Sequence, residues 1–168
     1  MRVDPVKGAS SIAHAVRHNT RQYVPDNVDE ERIDQNEIFY NQDNESIMNH
    51  LEDRLSKVSR KIDPDAVKVM EMLITRSADA DQVDDKKYFQ DSMKWIEKKY
   101  GKENILIACA HYDEDVPHLH ILMTPIHNKV NKKGKEVVSL SRKDLFKGGY
   151  HDLQNEFYGK VGSHHRMR

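Results

Sequence analysis

The sequence lacks the features that would place it in a membrane or tie it together covalently. Cys109 is the only cysteine, so no intrachain disulfide can form, which agrees with a reducing compartment. No apolar run approaches the roughly 18–20 residues that cross a bilayer, and no signal-peptide core opens the chain. The chain therefore reads as cytoplasmic, without a membrane partner. An excess of charge is missing too: the formal net charge is −1, so any attraction to nucleic acid must come from local asymmetry. That asymmetry is present. Residues 26–53 are rich in acids, from Asp26 and Asp29 to Glu52 and Asp53, whereas residues 129–147 gather Lys129, Lys132, Lys133, Lys135, Arg142, Lys143 and Lys147.

What remains, 37% hydrophobic and 33% charged residues in 168, is the composition of a globular protein with one core. Its most informative stretch is residues 104–126, NILIACAHYDEDVPHLHILMTPI. Two short apolar runs, 104–111 and 118–126, flank a segment too short for a crossover helix, which predicts an antiparallel hairpin. Side chains alternate across a strand, so His118 and His120 share a face. A loop that pairs Tyr112 with Pro117 sets His111 opposite His118 and Cys109 opposite His120, with Cβ atoms about 4.5–5.5 Å apart. Three imidazoles then converge, leaving open positions on a divalent ion as in a catalytic metal site. Asp113 and Glu114 at the turn are placed to ligate, to orient an imidazole, or to act as a base. Cys109 reads as a packed apolar residue, because thiolate coordination suits zinc more than the manganese or magnesium of phosphoryl chemistry.

The segment HYDEDVPHLH, 111–120, resembles the H-x-D-E-x-x-P-H-x-H signature of the Mob/Pre plasmid mobilisation proteins, the MobV-type relaxases of the HUH endonuclease superfamily. Upstream, AVRHNTR, 15–21, resembles that family's N-terminal motif of a histidine followed by asparagine and a basic residue. The resemblance implies an α+β HUH relaxase fold, an antiparallel sheet of about five strands covered by helices. It also implies a relaxase that nicks and rejoins one DNA strand at a transfer origin, holding Mn²⁺ or Mg²⁺ on His111, His118 and His120. His18 matches the nucleophile, and Glu114 is the first candidate for the carboxylate that assists it, with Asp113 second. Tyr23 is the alternative nucleophile, because most HUH enzymes use tyrosine. Arg17 and Arg21, flanking His18, and the basic residues Lys129, Lys132, Lys133, Lys135 and Arg142 are the candidate DNA contacts, the partner being single-stranded or hairpin DNA. The resembling proteins continue past residue 168, which makes 1–161 the relaxase domain, 162–168 a flexible tail at a truncation point, and the absent region a candidate dimerisation element. Three other readings stay open: a tyrosine-dependent replication initiator or transposase, a non-covalent metal phosphoesterase, and a DNA-binding module with a structural histidine cluster.

The remaining segments supply scaffold. Pro5 confines a strand over 1–7 to a sheet edge, and Ser10 or Ser11 caps a helix that carries His18. A short strand is expected at 37–40, a helix at 45–62 ended by Asp63-Pro64, and a strand at 66–75. A helix follows at 81–100, then a strand at 136–140 and a last helix from Arg142, broken near Gly148-Gly149.

Overall fold

The computed structural model describes residues 1–40, 43–76 and 83–167. In chain order the elements are β1 (Arg2–Val6), α1 (Ala9–Asn19), β2 (Glu37–Tyr40), α2 (Asn44–Ser56), β3 (Val69–Thr75), α3 (Asp85–Tyr100), β4 (Ile105–His111), β5 (His118–Met123), β6 (Ile126–Val130), β7 (Glu136–Leu140), α4 (Arg142–Leu145) and α5 (Gly149–Lys160). Five strands form one antiparallel sheet in the order β1-β3-β5-β4-β2, and β6 pairs β7 in a separate hairpin. This is the expected α+β architecture.

Strand position follows composition. Every residue of β4 and β5 is buried, and these two apolar strands are central. β1 carries Pro5, which cannot donate to a ladder, and it lies at an edge. Alternation then sorts the side chains into two layers. Met70, Met72, Ile74, Ile105, Ala108, Leu119 and Ile121 face α3 and α5, where Phe89, Ile96, Leu153 and Phe157 meet them. Val69, Ile107 and Leu122 face α1 and α2, against Ile12, Val16, Ile47 and Leu51. Each fully buried aliphatic or aromatic side chain contributes about 1.5–3 kcal/mol, so both helix layers are held firmly.

The hairpin register is the expected one: His111 pairs His118 and Cys109 pairs His120. Other boundaries differ. The helix expected over 45–62 stops at Ser56, because the following backbone finds another partner: Ser59 donates to the Val138 carbonyl at 3.0 Å and its hydroxyl accepts from Val138 N–H at 2.9 Å. The strand expected to reach Ile126 ends at Met123, and Ile126 starts β6. The helix bearing His18 is capped by Gly8, at φ 81, rather than by a serine side chain, and it ends at Asn19, leaving Tyr23 in the loop beyond. Asp84 caps α3 through its side chain; residues 81 and 82, expected within that helix, lie outside the described residues. The expected break at Gly148-Gly149 separates α4 from α5.

Residues 162–167 are packed rather than a loose tail. They form a 3₁₀ turn over Gly162–His165, His165 reaches Asp91 on α3 at 3.1 Å, and Met167 is buried. The apolar reach of Val161 and Met167 into the α3–α5 core explains why this segment is held. Among the described residues no helix is long and apolar enough to cross a membrane.

Candidate active site

The α1/α2 face of the sheet opens, at the end where β5 begins, onto four imidazoles. His111 (β4) is fully buried, and His118 and His120 (β5) nearly so. Ring centroids are 5.3 Å apart for His111–His118, 5.0 Å for His111–His120 and 4.8 Å for His118–His120. From the last turn of α1, His18 lies edge-on over this group, 5.6 Å from His111 and 5.2 Å from His120. Two overlapping sets of donor atoms lie within 4.8 Å of one another: His18, His111 and His120, and His111, Glu114 and His118. His111 belongs to both and is the hub.

Hydrogen bonds fix what each ring presents. His118 Nδ1 lies 2.8 Å from the Val116 carbonyl and His120 Nδ1 2.9 Å from Glu71 Oε1, so each Nδ1 carries the proton and each Nε2 offers a lone pair. His111 is reversed: its Nε2 faces the Asn19 carbonyl at 3.2 Å, and its Nδ1 is buried with no hydrogen-bond partner among the described residues. A buried, partnerless imidazole nitrogen is costly unless something binds it. His111 shares a donor set with His120 and another with His118, while the three do not fall within a single set among the described residues; the bare lone pairs gathered around His111 suit a divalent cation.

Electrostatics favour the same state. Burial pushes the His111 pKa down to about 2 and that of His18 down to about 4, with the neighbouring imidazole of His120 adding to both; burial lowers His118 as well. These rings are neutral near pH 7, the form that binds a metal or attacks phosphorus. Burial also raises the Cys109 thiol to about 12, and Cys109 belongs to neither donor set, which agrees with its reading as a packing residue.

The lowered histidines imply a direction for stability against pH in metal-free protein. On unfolding, His18 regains an ordinary value near 6.5, so the unfolded chain binds the extra proton below that value. Stability supplied by the neutral ring is complete above pH ~6.5 and is lost as pH falls toward 4, with His111 extending the loss lower. Urea unfolding midpoints of the metal-free protein should fall between pH 7 and 4, and a His18→Gln variant should lose less over that interval. Equal slopes for the two proteins would remove His18 as a source.

A second network clamps α1 to the hairpin turn. Arg21 donates through Nε to Asp113 at 2.8 Å, and through Nη2 to Asp113 at 2.5 Å and Glu114 at 2.8 Å; the Arg21 side chain is 6% exposed and that of Asp113 0%. Asn36 donates to Asp113 at 2.6 Å and accepts from Tyr112 N–H at 2.7 Å, while Asn27 donates to Glu114 at 3.0 Å. Burial opposes ionisation of all three charged groups, but the mutual hydrogen bonds prevail: both carboxyls are held below their usual range and the guanidinium above its own. Arg21 was expected to hold DNA phosphate. Its fork is instead taken by two carboxylates, and its backbone, at φ 56, turns the chain sharply after α1.

The other expected site residues separate. Glu114 borders the same cleft as His18, His118 and His120, together with Asn27, Thr75 and Val116. Tyr23 is 51% exposed, stacks on His14 at 5.4 Å and does not line that cleft. Arg17 is exposed on α1. Lys129, Lys132 and Lys133 line a different hollow, Lys129 being paired with Asp144, whereas Lys135 and Arg142 do not line it. Sequence reasoning missed Glu71, whose carboxyl is pushed up by burial but drawn lower overall by His120. A lone acid inside the apolar run VMEMLIT was the available signal.

The plasmid recombination enzyme family, Mob_Pre, matches residues 1–166. Plasmid recombination enzyme type 1 of Staphylococcus aureus is 30% identical over 174 residues, covering 96% of this chain and 42% of that protein. The plasmid recombination enzyme of Bacillus thuringiensis is 31% identical over 147 residues, covering 79% of this chain and 33% of the relative. The chain thus spans less than half the length of these relatives. Among solved structures, the Mn-bound MobM relaxase domain in complex with plasmid pMV158 oriT DNA superposes with a TM-score of 0.78 at 23% identity, over 99% of this chain and 86% of that one. This likeness establishes a shared fold.

Proposed function

Because the chain belongs to the Mob_Pre family of plasmid recombination enzymes, we propose that it is a relaxase domain that nicks and rejoins one DNA strand at the transfer origin of a plasmid or mobile element, with His18 as nucleophile. The observation that carries this reading is the placement of a neutral, partly open imidazole, His18, edge-on to His111 and His120, within a cluster whose two overlapping donor sets share His111.

His111, His118 and His120 would hold Mn²⁺ or Mg²⁺, as the MobM relaxase domain holds Mn. Such an ion neutralises a phosphate oxygen and makes phosphorus more electrophilic. Glu71 keeps His120 in the tautomer that offers Nε2, and the Val116 carbonyl does the same for His118. A lone pair of His18 attacks phosphorus in line: an N–P bond forms, the P–O3′ bond breaks, and the departing oxygen leaves as the 3′-hydroxyl once protonated. The ring becomes positively charged and gives up its remaining N–H proton to solvent water, and solvent returns one proton to the departing 3′ oxygen. Glu114 and Glu71 are the carboxylates whose charges favour that cationic ring, so Glu114 acts chiefly through its field while Arg21 and Asn27 hold its oxygens. Attack by the 3′-hydroxyl on the phosphoryl-histidine reverses the steps and reseals the strand.

Incubation with labelled single-stranded DNA from the transfer origin of its own element, with and without Mn²⁺, followed by denaturing electrophoresis, tests this. The expected result is a metal-dependent, protease-sensitive adduct that is present in wild type and Tyr23→Phe and absent in His18→Ala. Loss only in Tyr23→Phe would assign the protein to the tyrosine enzymes. Cleavage without adduct would make it a phosphoesterase, and binding without cleavage a DNA-binding module.

A further inference from the structure

A second hollow lies apart from the histidine cleft and is larger than it. It has a volume of about 880 Å³ and lies between the β6–β7 hairpin and the loop that follows α2. Six cations line it: Arg60, Lys61, Lys129, Lys132, Lys133 and Lys147. Among the described residues that line it, only Asp63 and Asp144 oppose them, in a chain whose formal net charge is −1. Arg60 and Lys61 lie outside the basic segment visible in the sequence. They join it because the Ser59–Val138 hydrogen bonds dock their loop onto β7, the interaction that also ends α2 early.

The hollow sits at the opposite end of the sheet from the chemistry. β5 starts at His118 in the cleft and ends at Met123, one turn before β6; α2 runs the same way, its Arg54 reaching Asn104 at the start of β4 at 3.0 Å. The strand rise of about 3.3 Å per residue puts roughly 20 Å between the two places.

We propose that this groove is a second DNA site, one that holds the sugar-phosphate backbone of the nicked strand several nucleotides from the bond that His18 attacks. The proposal rests on the relaxase reading and adds a separate anchor to it. Exposed lysines and an arginine neutralise phosphates without reading bases, so the anchor supplies affinity and register and leaves sequence choice to the cleft. Apolar residues in the same wall, among them Val130 at 64% exposure, offer sugars and base faces a surface beside the charges.

The test is the salt dependence of binding to a 25-nucleotide oligothymidylate with Mn²⁺ present, compared between wild type and the triple variant Arg60→Gln/Lys61→Gln/Lys132→Gln. Each lost phosphate contact lowers the slope of log K against log salt by about 0.7 for a single strand, so the triple variant should lose about 2 from the slope and bind roughly 10- to 100-fold more weakly near 0.1 M salt. A charge-matched control, Lys86→Gln/Lys87→Gln/Lys98→Gln on α3 across the sheet, should keep the wild-type slope. An unchanged slope in the groove variant, or an equal loss in the control, overturns the groove. The relaxase reading is judged separately by the adduct of the wild type and of the groove variant on origin DNA: a wild-type adduct with an unaltered slope excludes the groove alone, and no wild-type adduct excludes the parent reading.

Discussion

Replacing His111 by alanine is expected to remove specific Mn²⁺ binding and to lower nicking by about a thousandfold, the effect of losing ~4 kcal/mol of transition-state stabilisation. His111 is the member common to both donor sets, and its buried Nδ1 has no hydrogen-bond partner among the described residues, so this residue gains most from a bound cation. The effect should be graded: Glu71→Gln keeps the His120 ligand but loosens its orientation, and should weaken Mn²⁺ binding by about 10- to 100-fold. His14→Ala, on the exposed side of α1, should change neither quantity. Calorimetric titration with Mn²⁺ and single-turnover nicking measure the series. Wild-type Mn²⁺ affinity in His111→Ala, with an unaltered circular dichroism spectrum, would mean that the ion is held elsewhere.

The second large effect concerns stability. Arg21→Ala should cost about 3–5 kcal/mol, because it leaves Asp113 fully buried with its charge uncompensated. For a chain of this length that corresponds to a melting temperature roughly 10 °C lower. Lysine should not rescue it, since a point charge cannot span both carboxylates as the guanidinium fork does. Arg21→Gly separates the causes. Glycine relieves the positive-φ backbone by about 1 kcal/mol yet still loses the clamp, so it should fall slightly less far than alanine. Urea denaturation with Mn²⁺ absent isolates the folding term, and a cost below ~1 kcal/mol for Arg21→Ala would show that the clamp is not what joins α1 to the hairpin.

Much of the centre was readable because it depends on alternation. The period of two in β4 and β5 and the short loop between them fix the register of His111 against His118 without knowledge of any other element. Contacts between distant segments were not readable. No local pattern says that Arg21 finds Asp113, 92 residues away, or that Glu71 finds His120 across a neighbouring strand. For the same reason a phosphate contact was expected at Arg21, since a basic residue beside a motif histidine looks the same in sequence whether it faces solvent or a buried carboxylate. The stripe through Val58 and Ile62 suggested a longer α2, but those residues turn toward the β6–β7 hairpin, whose first strand shares only Ile126 with the preceding apolar run and otherwise reads as a polar turn.

The irregularity in β4 carries a further consequence. Between Ile105 and Ile107 the strand advances two residues while β5 advances one, so Leu106 and Ile107 both pack toward α1 and α2 although Ile105 packs toward α3. Under strict alternation from Ile105, with no bulge, position 111 would have the parity of the α3 layer. The bulge therefore works as a phase shifter. It lets one end of β4 satisfy the core on one side of the sheet while the other end delivers an imidazole to the opposite side, uncoupling the packing of the strand from its chemistry.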